Sequence, residues 1–304
     1  MKWLWILPFA LALSGCQPTP DESRDVATEP LVPESEATEP IDSGSFAEVN
    51  GTRLFYEERG DGPSLVLISG ANLDSRLWDR QMDELAEQFR VLRYDPRGTG
   101  KSEMPEGPFS HYEDLAALLQ YVGIESTHLL GFSFGAGIAL DFAVQYPDRV
   151  QSLILVGPGL SSWKDELMPV LTDVAGVAEQ EGREKAIELL LAEPSMPTPE
   201  QAEARERVKA ILEDSPQLFD SHFAYLRWME PLDPPAEERL GEIKASTILI
   251  VGERDYPGIH ENVDVLQQGI TGARKVLIMG VGHVVSLENP EELRRIVLDF
   301  LGTD

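Results

Sequence analysis

The sequence predicts an α/β fold: a mostly parallel eight-stranded sheet flanked by helices, with a helical segment inserted after the sixth strand. Three observations carry this expectation. Short apolar runs alternate with segments that are apolar at helical spacing, over residues 46–157 and again over 241–304, which is the pattern of parallel strands joined by crossover helices. Between Gly157 and Leu240 the alternation breaks, and helical runs follow one another with no strand between them. The pentapeptide Gly131-Phe132-Ser133-Phe134-Gly135 stands at a junction between a strand-like run and a helical one.

Strand-like runs cover Phe46–Val49, Thr52–Glu58, Ser64–Ile68, Val91–Tyr94, Thr127–Leu130, Ser152–Val156, Thr247–Val251 and Lys275–Met279. Asn50-Gly51 is a strong hairpin dipeptide, because both residues tolerate positive φ, so the first two runs form an antiparallel pair. Helical spacing marks Leu77–Gln88, Tyr112–Val122, Phe134–Tyr146 and Glu291–Leu301 around the sheet. In the inserted segment, residues 158–240, it marks Trp163–Ala178, Arg183–Ala192, Pro199–Asp214 and Pro216–Met229, separated by Pro and Gly. This reads as a helical cap. Its large apolar side chains include Met168, Phe219 and Phe223, and Trp163, Trp228 and Met229 are the leading candidates to line a substrate pocket.

The pentapeptide has the context that a strained nucleophilic serine needs. A strand turning sharply into a helix puts Ser133 in an unusual backbone conformation, and the flanking glycines remove side chains that would clash there. A serine hydroxyl is almost never ionised at neutral pH, so attack requires a base, and the base requires an orienting acid. Both follow in the chain. Asp255 comes just after the apolar run Ser246–Gly252, and His283 stands in Gly280-Val281-Gly282-His283 after Lys275–Met279. Each lies just past the carboxyl end of a strand, where open parallel sheets place their sites. Glu253 is the weaker alternative acid, read as a solvated loop charge beside Arg254. His111, His128, His222 and His260 are weaker bases, because none stands at such a strand end in the order Ser, Asp, His.

From about Phe46 to Leu301 the chain resembles the α/β-hydrolase fold family. Four stretches carry the resemblance: Ile68-Ser69-Gly70-Ala71-Asn72, Tyr94-Asp95-Pro96-Arg97-Gly98-Thr99-Gly100-Lys101-Ser102, the Gly131–Gly135 elbow, and the Asp255/His283 pair. They are specific for the fold and much less so for the reaction. Many members carry His-Gly where this chain has Ser69-Gly70. That histidine is supportive, so the departure bears on the entrance to the site and leaves the triad intact. The resemblance implies an oxyanion hole formed by the backbone N–H groups of Phe134 and Ala71, with Asn72 as the alternative to Ala71.

It also implies a serine hydrolase that cleaves carboxylic esters or lactones of small molecules; the sequence itself offers no Cys/His cluster for a metal and no cofactor fingerprint. Carbon–carbon bond hydrolysis and cofactor-free perhydrolase chemistry use the same triad and stay open, as does a non-catalytic ligand-binding module. Epoxide and haloalkane hydrolases are disfavoured, because they carry aspartate where Ser133 stands. Gly100-Lys101-Ser102 looks like the end of a phosphate-binding loop, but that motif needs a glycine five residues earlier, where Asp95 stands. Asp95 and Arg97 read as braces for loops.

The N-terminus carries a different message. Lys2 precedes an apolar run, Trp3 to Leu13, which is too short to span a bilayer and suits a signal peptide over residues 1–15. Leu13-Ser14-Gly15-Cys16 resembles a bacterial lipoprotein box, which implies lipid on Cys16 and, because acyl chains add about 0.8 kcal/mol per buried methylene, stable anchoring. Gln17 in place of aspartate points to the outer membrane or a periplasm-facing site. Residues 16–45 are rich in Pro, Thr, Ser and acids, and read as a disordered tether. The 304-residue chain has a formal net charge of −28, which repels nucleic-acid phosphates and excludes them as partners. Its single cysteine rules out an intramolecular disulfide. Oligomeric state is left open.

Overall fold

The computed structural model describes residues 44–160, 167–215 and 228–302. Cys16, the signal and tether expectations up to residue 43, Trp163 and residues 216–227 of the fourth cap helix lie outside the described residues.

Eight strands form one sheet: β1 (Ser45–Val49), β2 (Thr52–Arg59), β3 (Ser64–Ile68), β4 (Arg90–Tyr94), β5 (Thr127–Phe132), β6 (Val150–Val156), β7 (Ser246–Gly252) and β8 (Arg274–Ile278), in spatial order β1-β2-β4-β3-β5-β6-β7-β8. β2 runs antiparallel to β1 and to β4, and every other pairing is parallel. At the β1–β2 turn Asn50 has φ 48° and Gly51 φ 69°, the two left-handed residues that a tight hairpin turn requires.

The helices around the sheet are α1 (Asp79–Leu85), α2 (His111–Tyr121) and α3 (Phe134–Gln145). After β6 come α4 (Leu167–Glu181), α5 (Arg183–Leu191) and α6 (Ala202–Asp214), and no strand occurs among the described residues until β7. Then follow α7 (Pro257–Gly269), the short α8 (Val285–Glu288) and α9 (Pro290–Leu301). Among the described residues no helix is long and apolar enough to cross a membrane.

The period-2 alternation of each strand divides its side chains between two cores. Val66, Ile68, Leu129, Leu153, Leu155, Leu249 and Val251 pack on one face with Leu140 and Phe142 of α3 and Ile259 and Val263 of α7. Leu65, Leu67, Leu130, Phe132, Ile154, Val156, Ile248 and Ile250 pack on the other with Trp78, Leu293, Ile296 and Val297. The second core also takes in Ile187, Leu190, Val208, Ile211 and Leu212, so α5 and α6 are packed onto the body of the domain. Burial of each such aliphatic side chain stabilises the fold by about 1.5–3 kcal/mol before chain entropy is counted.

Three local expectations are corrected. The single helix expected over Leu77–Gln88 is a 3₁₀ turn, Ser75–Trp78, followed by α1. The Asp74 carboxylate caps the tighter turn by accepting from the Arg76 N–H, and the chain leaves the helix after Leu85 to reach β4. The helix expected to end at Met229 does not extend there: Trp228 lies in a 3₁₀ turn, and Met229 forms a parallel bridge with Phe109. The Phe109 N–H donates to the Trp228 carbonyl and the Glu230 N–H donates to the Phe109 carbonyl, so this backbone is satisfied as a strand would be. Ser45, given to the tether, already belongs to β1 and pairs with Tyr56.

Candidate active site

Ser133 stands between β5 and α3 with φ 52° and ψ −117°, a conformation that costs an L-residue on the order of 1–3 kcal/mol. The surrounding backbone leaves no alternative. A Cβ on Gly131 would come within 2.4 Å of the Gly135 carbonyl oxygen, and one on Gly135 within 2.4 Å of the carbonyl oxygens of Ile68 and Ser69. The Ser133 N–H donates to the Val156 carbonyl at 2.9 Å, and its own carbonyl accepts from Ala136 and Gly137. The turn is thereby fastened to β6 on one side and to the first turn of α3 on the other.

The three residues singled out at strand ends come together. Ser133 Oγ lies 3.0 Å from His283 Nε2, and His283 Nδ1 lies 2.8 Å from Asp255 Oδ1. All three are buried. Asp255 Oδ1 also accepts the Tyr256 N–H at 2.8 Å. This favours the tautomer with the proton on Nδ1 donated to Asp255, leaving Nε2 to accept the Ser133 hydroxyl. Phe132 and Tyr256 pack against the imidazole, with ring centroids 4.8 and 5.5 Å away. Glu253 is not part of this chain: its Oε2 accepts the Gly280 N–H at 2.9 Å. Arg254, its neighbour in sequence, pairs with Glu288.

Gly157 was treated in the sequence only as a boundary. It follows β6 with φ 51°, and a Cβ there would stand 3.1 Å from Asp255 Oδ2 and 3.2 Å from the His283 ring, so this glycine leaves room for the acid and base to meet. Its one sequence signal is a glycine directly after a strand that neighbours the elbow.

A cavity of about 40 Å³ opens beside the serine, lined by Ala71, Asn72, Leu73, Phe132, Ser133, Leu190, Met196, Val208, Leu212, His283 and Val284. Asn72 has φ 65°, and the Leu73 N–H donates to the Gly70 carbonyl across this turn. The Asn72 amide oxygen is buried without a hydrogen-bond partner. Trp228 and Met229, two of the expected lining residues, are not among the residues that line this cavity. Met229 packs instead against the core that holds Phe134 and Leu232. Part of the apolar wall is supplied by α5, α6 and the loop between them, and Leu73, Phe132 and Val284 supply the rest with Ala71. Leu190, Val208 and Leu212 look in sequence like ordinary core positions, which is why composition alone pointed to the aromatics.

Asp95 accepts N–H bonds from Ser75 and Lys101, both at 2.8 Å, and burial pushes its carboxyl up to about 6. Arg97 forms a two-pronged pair with the buried Asp114. Both are therefore braces. His260 is in α7 and His128 packs edge-on against Phe89, and neither bonds to Ser133; His222 lies outside the described residues. No group of His, Cys, Asp and Glu able to hold a metal occurs among the described residues.

His111 lies under the elbow, edge-on to Phe109 and to Phe134 at 4.8 and 4.9 Å. Burial, helped by Arg97, holds its pKa down to about 3. The unfolded chain takes up a proton near 6.5 and the folded chain does not until about 3, so this residue weakens the fold progressively as pH falls through that window. His111→Phe keeps a ring between the two phenylalanines and removes the effect. Between pH 7 and pH 4 the variant is expected to gain roughly 3 kcal/mol on the wild type, read as the pH dependence of urea unfolding.

The description of the α/β-hydrolase fold matches residues 63–290. The chain belongs to the α/β-hydrolase fold family. Among its curated relatives is the 2-hydroxy-6-oxo-6-phenylhexa-2,4-dienoate hydrolase of Comamonas testosteroni, 27% identical over 275 residues, which cover 82% of this chain and 91% of the relative. Similar solved structures include the enol-lactonase of Burkholderia xenovorans LB400, at 25% identity and TM-score 0.72 over 85% of this chain and 100% of that one. A hydrolase of Pseudomonas aeruginosa PA01 aligns at 27% identity and TM-score 0.73 over 86% of this chain and 100% of that one. Ser133, Asp255 and His283 occupy the loops after β5, β7 and β8 of this α/β-hydrolase sheet.

Proposed function

We propose that this α/β-hydrolase is a serine hydrolase that cleaves carboxylic esters or lactones of small molecules through an acyl-enzyme on Ser133. The observation that carries the reading is the hydrogen-bonded chain from Ser133 Oγ through His283 to Asp255, built on a backbone strained in the way a strand-to-helix nucleophile turn demands. His283 Nε2 takes the hydroxyl proton as Oγ attacks the carbonyl carbon. Asp255 stabilises the imidazolium that forms. The carbonyl electron pair collects on oxygen, opposite the backbone N–H groups of Phe134 and Ala71, each worth about 2.7–4 kcal/mol as a preorganised donor. When the tetrahedral centre collapses, His283 returns the proton to the leaving oxygen, and water then attacks the acyl-enzyme with His283 again as base. In a lactone the leaving oxygen stays tethered to the acyl group.

The cavity narrows the substrate. Its apolar wall and small volume suit a short acyl or alkyl group. The α4–α6 segment acts in this reading as a cap over the serine. Carbon–carbon bond hydrolysis is the second reading, favoured by the likeness to the Comamonas dienoate hydrolase. Cys16 is proposed as a lipid-anchoring residue that tethers the domain to the cell envelope.

The test is turnover of p-nitrophenyl esters from acetate to octanoate, small lactones and a dienone acid by the wild type and by Ser133→Ala. Short-chain esters or lactones turned over by the wild type and lost in the variant support the first reading. Turnover of the dienone acid alone selects the second. Full ester turnover by Ser133→Ala overturns both.

A further inference from the structure

His283 lies on an irregular loop between β8 and α8, so its aim depends on what fastens that loop. One carboxylate brackets it. Glu288, with a wholly buried side chain, accepts the Gly282 N–H at 2.7 Å and the Val284 N–H at 3.1 Å, the residues on either side of His283. Burial raises its pKa, opposed by those bonds and by Arg254. Arg254 donates to the same carboxylate at 2.9 Å. The guanidinium also reaches into the loop between α5 and α6, donating to the Pro194 carbonyl at 2.8 Å and to Gln201 Oε1 at 3.0 Å. The Arg254 backbone N–H donates to the Val281 carbonyl at 2.9 Å, and the His283 N–H donates to the Ser195 carbonyl at 2.6 Å. Where these strands of backbone meet, a Cβ on Gly282 would fall 2.2 Å from the Ser195 oxygen.

We propose that Arg254 and Glu288 form a clamp that positions His283 and ties its aim to the seating of the 194–201 segment, whose Met196 lines the cavity. The consequences for turnover rest on the triad reading above. Neither side chain touches the reacting atoms, so they are positioning residues. The Arg254 guanidinium links the acid loop to the inserted segment directly and to the base loop through Glu288, which holds Gly282 and Val284. A lysine in its place keeps the charge but lacks the fork needed to hold Glu288 and the Pro194 carbonyl at once.

The experiment compares wild type with Arg254→Ala, Arg254→Lys and Glu288→Gln, using hydrogen–deuterium exchange and p-nitrophenyl acetate kinetics. The Arg254 side chain is part-exposed, so Arg254→Ala is the variant expected to fold; Glu288→Gln sets an amide among three donors and is the harsher change. For Arg254→Ala, exchange should speed up in both the 280–284 and 194–201 peptides. The kcat should fall about 10- to 100-fold with KM within threefold, as misaim of a base by about 1 Å implies. Arg254→Lys should recover part of each. Unchanged exchange in either peptide overturns the clamp, whatever the activity. Faster exchange with an unchanged kcat overturns the positioning of His283. Failure of the triad reading itself would appear separately, as full turnover by Ser133→Ala alongside whatever exchange the Arg254 variants show.

Discussion

Asp255→Asn is expected to lower kcat on p-nitrophenyl acetate by about 10,000-fold while leaving the circular dichroism spectrum unchanged. The carboxylate oxygen Oδ1 receives two donors, His283 Nδ1 and the Tyr256 N–H. The amide replaces it without steric cost but removes the charge that stabilises the imidazolium. If the amide NH₂ group turns toward Nδ1, it also drives the ring proton to Nε2, where it blocks acceptance of the Ser133 proton. Glu253→Gln is the internal control. That side chain only accepts the exposed Gly280 N–H, and less than a threefold change is expected. The two kcat values measured side by side decide which of the two carboxylates after β7 supports the base.

The second large effect is on folding. Gly135→Ala is expected to cost at least about 3 kcal/mol, or to prevent accumulation of folded protein. The methyl group would need to occupy space 2.4 Å from two backbone carbonyl oxygens, those of Ile68 and Ser69. No side-chain rotation relieves such a contact; β3 and α3 would have to separate, and with them the core between Ile68 and Ala139. Gly107→Ala, where an added Cβ meets nothing within 4 Å, should stay within about 0.5 kcal/mol of the wild type. Urea unfolding of the two variants compares a packed glycine with a free one in the same chain. A Gly135→Ala protein as stable as the Gly107→Ala one would mean the elbow is looser than its geometry.

The residues brought together in the site were legible in sequence because their signal is positional. Ser133, Asp255 and His283 each stand just past an apolar run, and a parallel sheet sends the ends of such runs to one edge. The order of the sheet is also strongly constrained by chain order and crossover length. The cavity wall was not legible in this way. Leu190, Val208 and Leu212 have no feature that separates a pocket-facing leucine or valine from a core one, whereas Trp228 and Met229 drew attention by size. Met229 is diverted by backbone pairing with Phe109, a contact between positions 120 residues apart that helical periodicity cannot register. The broken helix at Ser75–Trp78 has a local cause in the Asp74 cap, but the end of α1 is set by the path into β4, a tertiary demand. The pairing of Arg254 with Glu288 was not legible either, because the two lie 34 residues apart.

The central claim is that Ser133 is an activated nucleophile, and its most direct test is covalent trapping. The protein is treated with a fluorophosphonate at neutral pH, and the adduct is located by peptide mass spectrometry. The account predicts a single adduct on Ser133, formed in the wild type and lost in a folded His283→Ala variant. Ester turnover by a folded wild type whose Ser133 remains unmodified, or labelling of Ser133 at the same rate without His283, would contradict it.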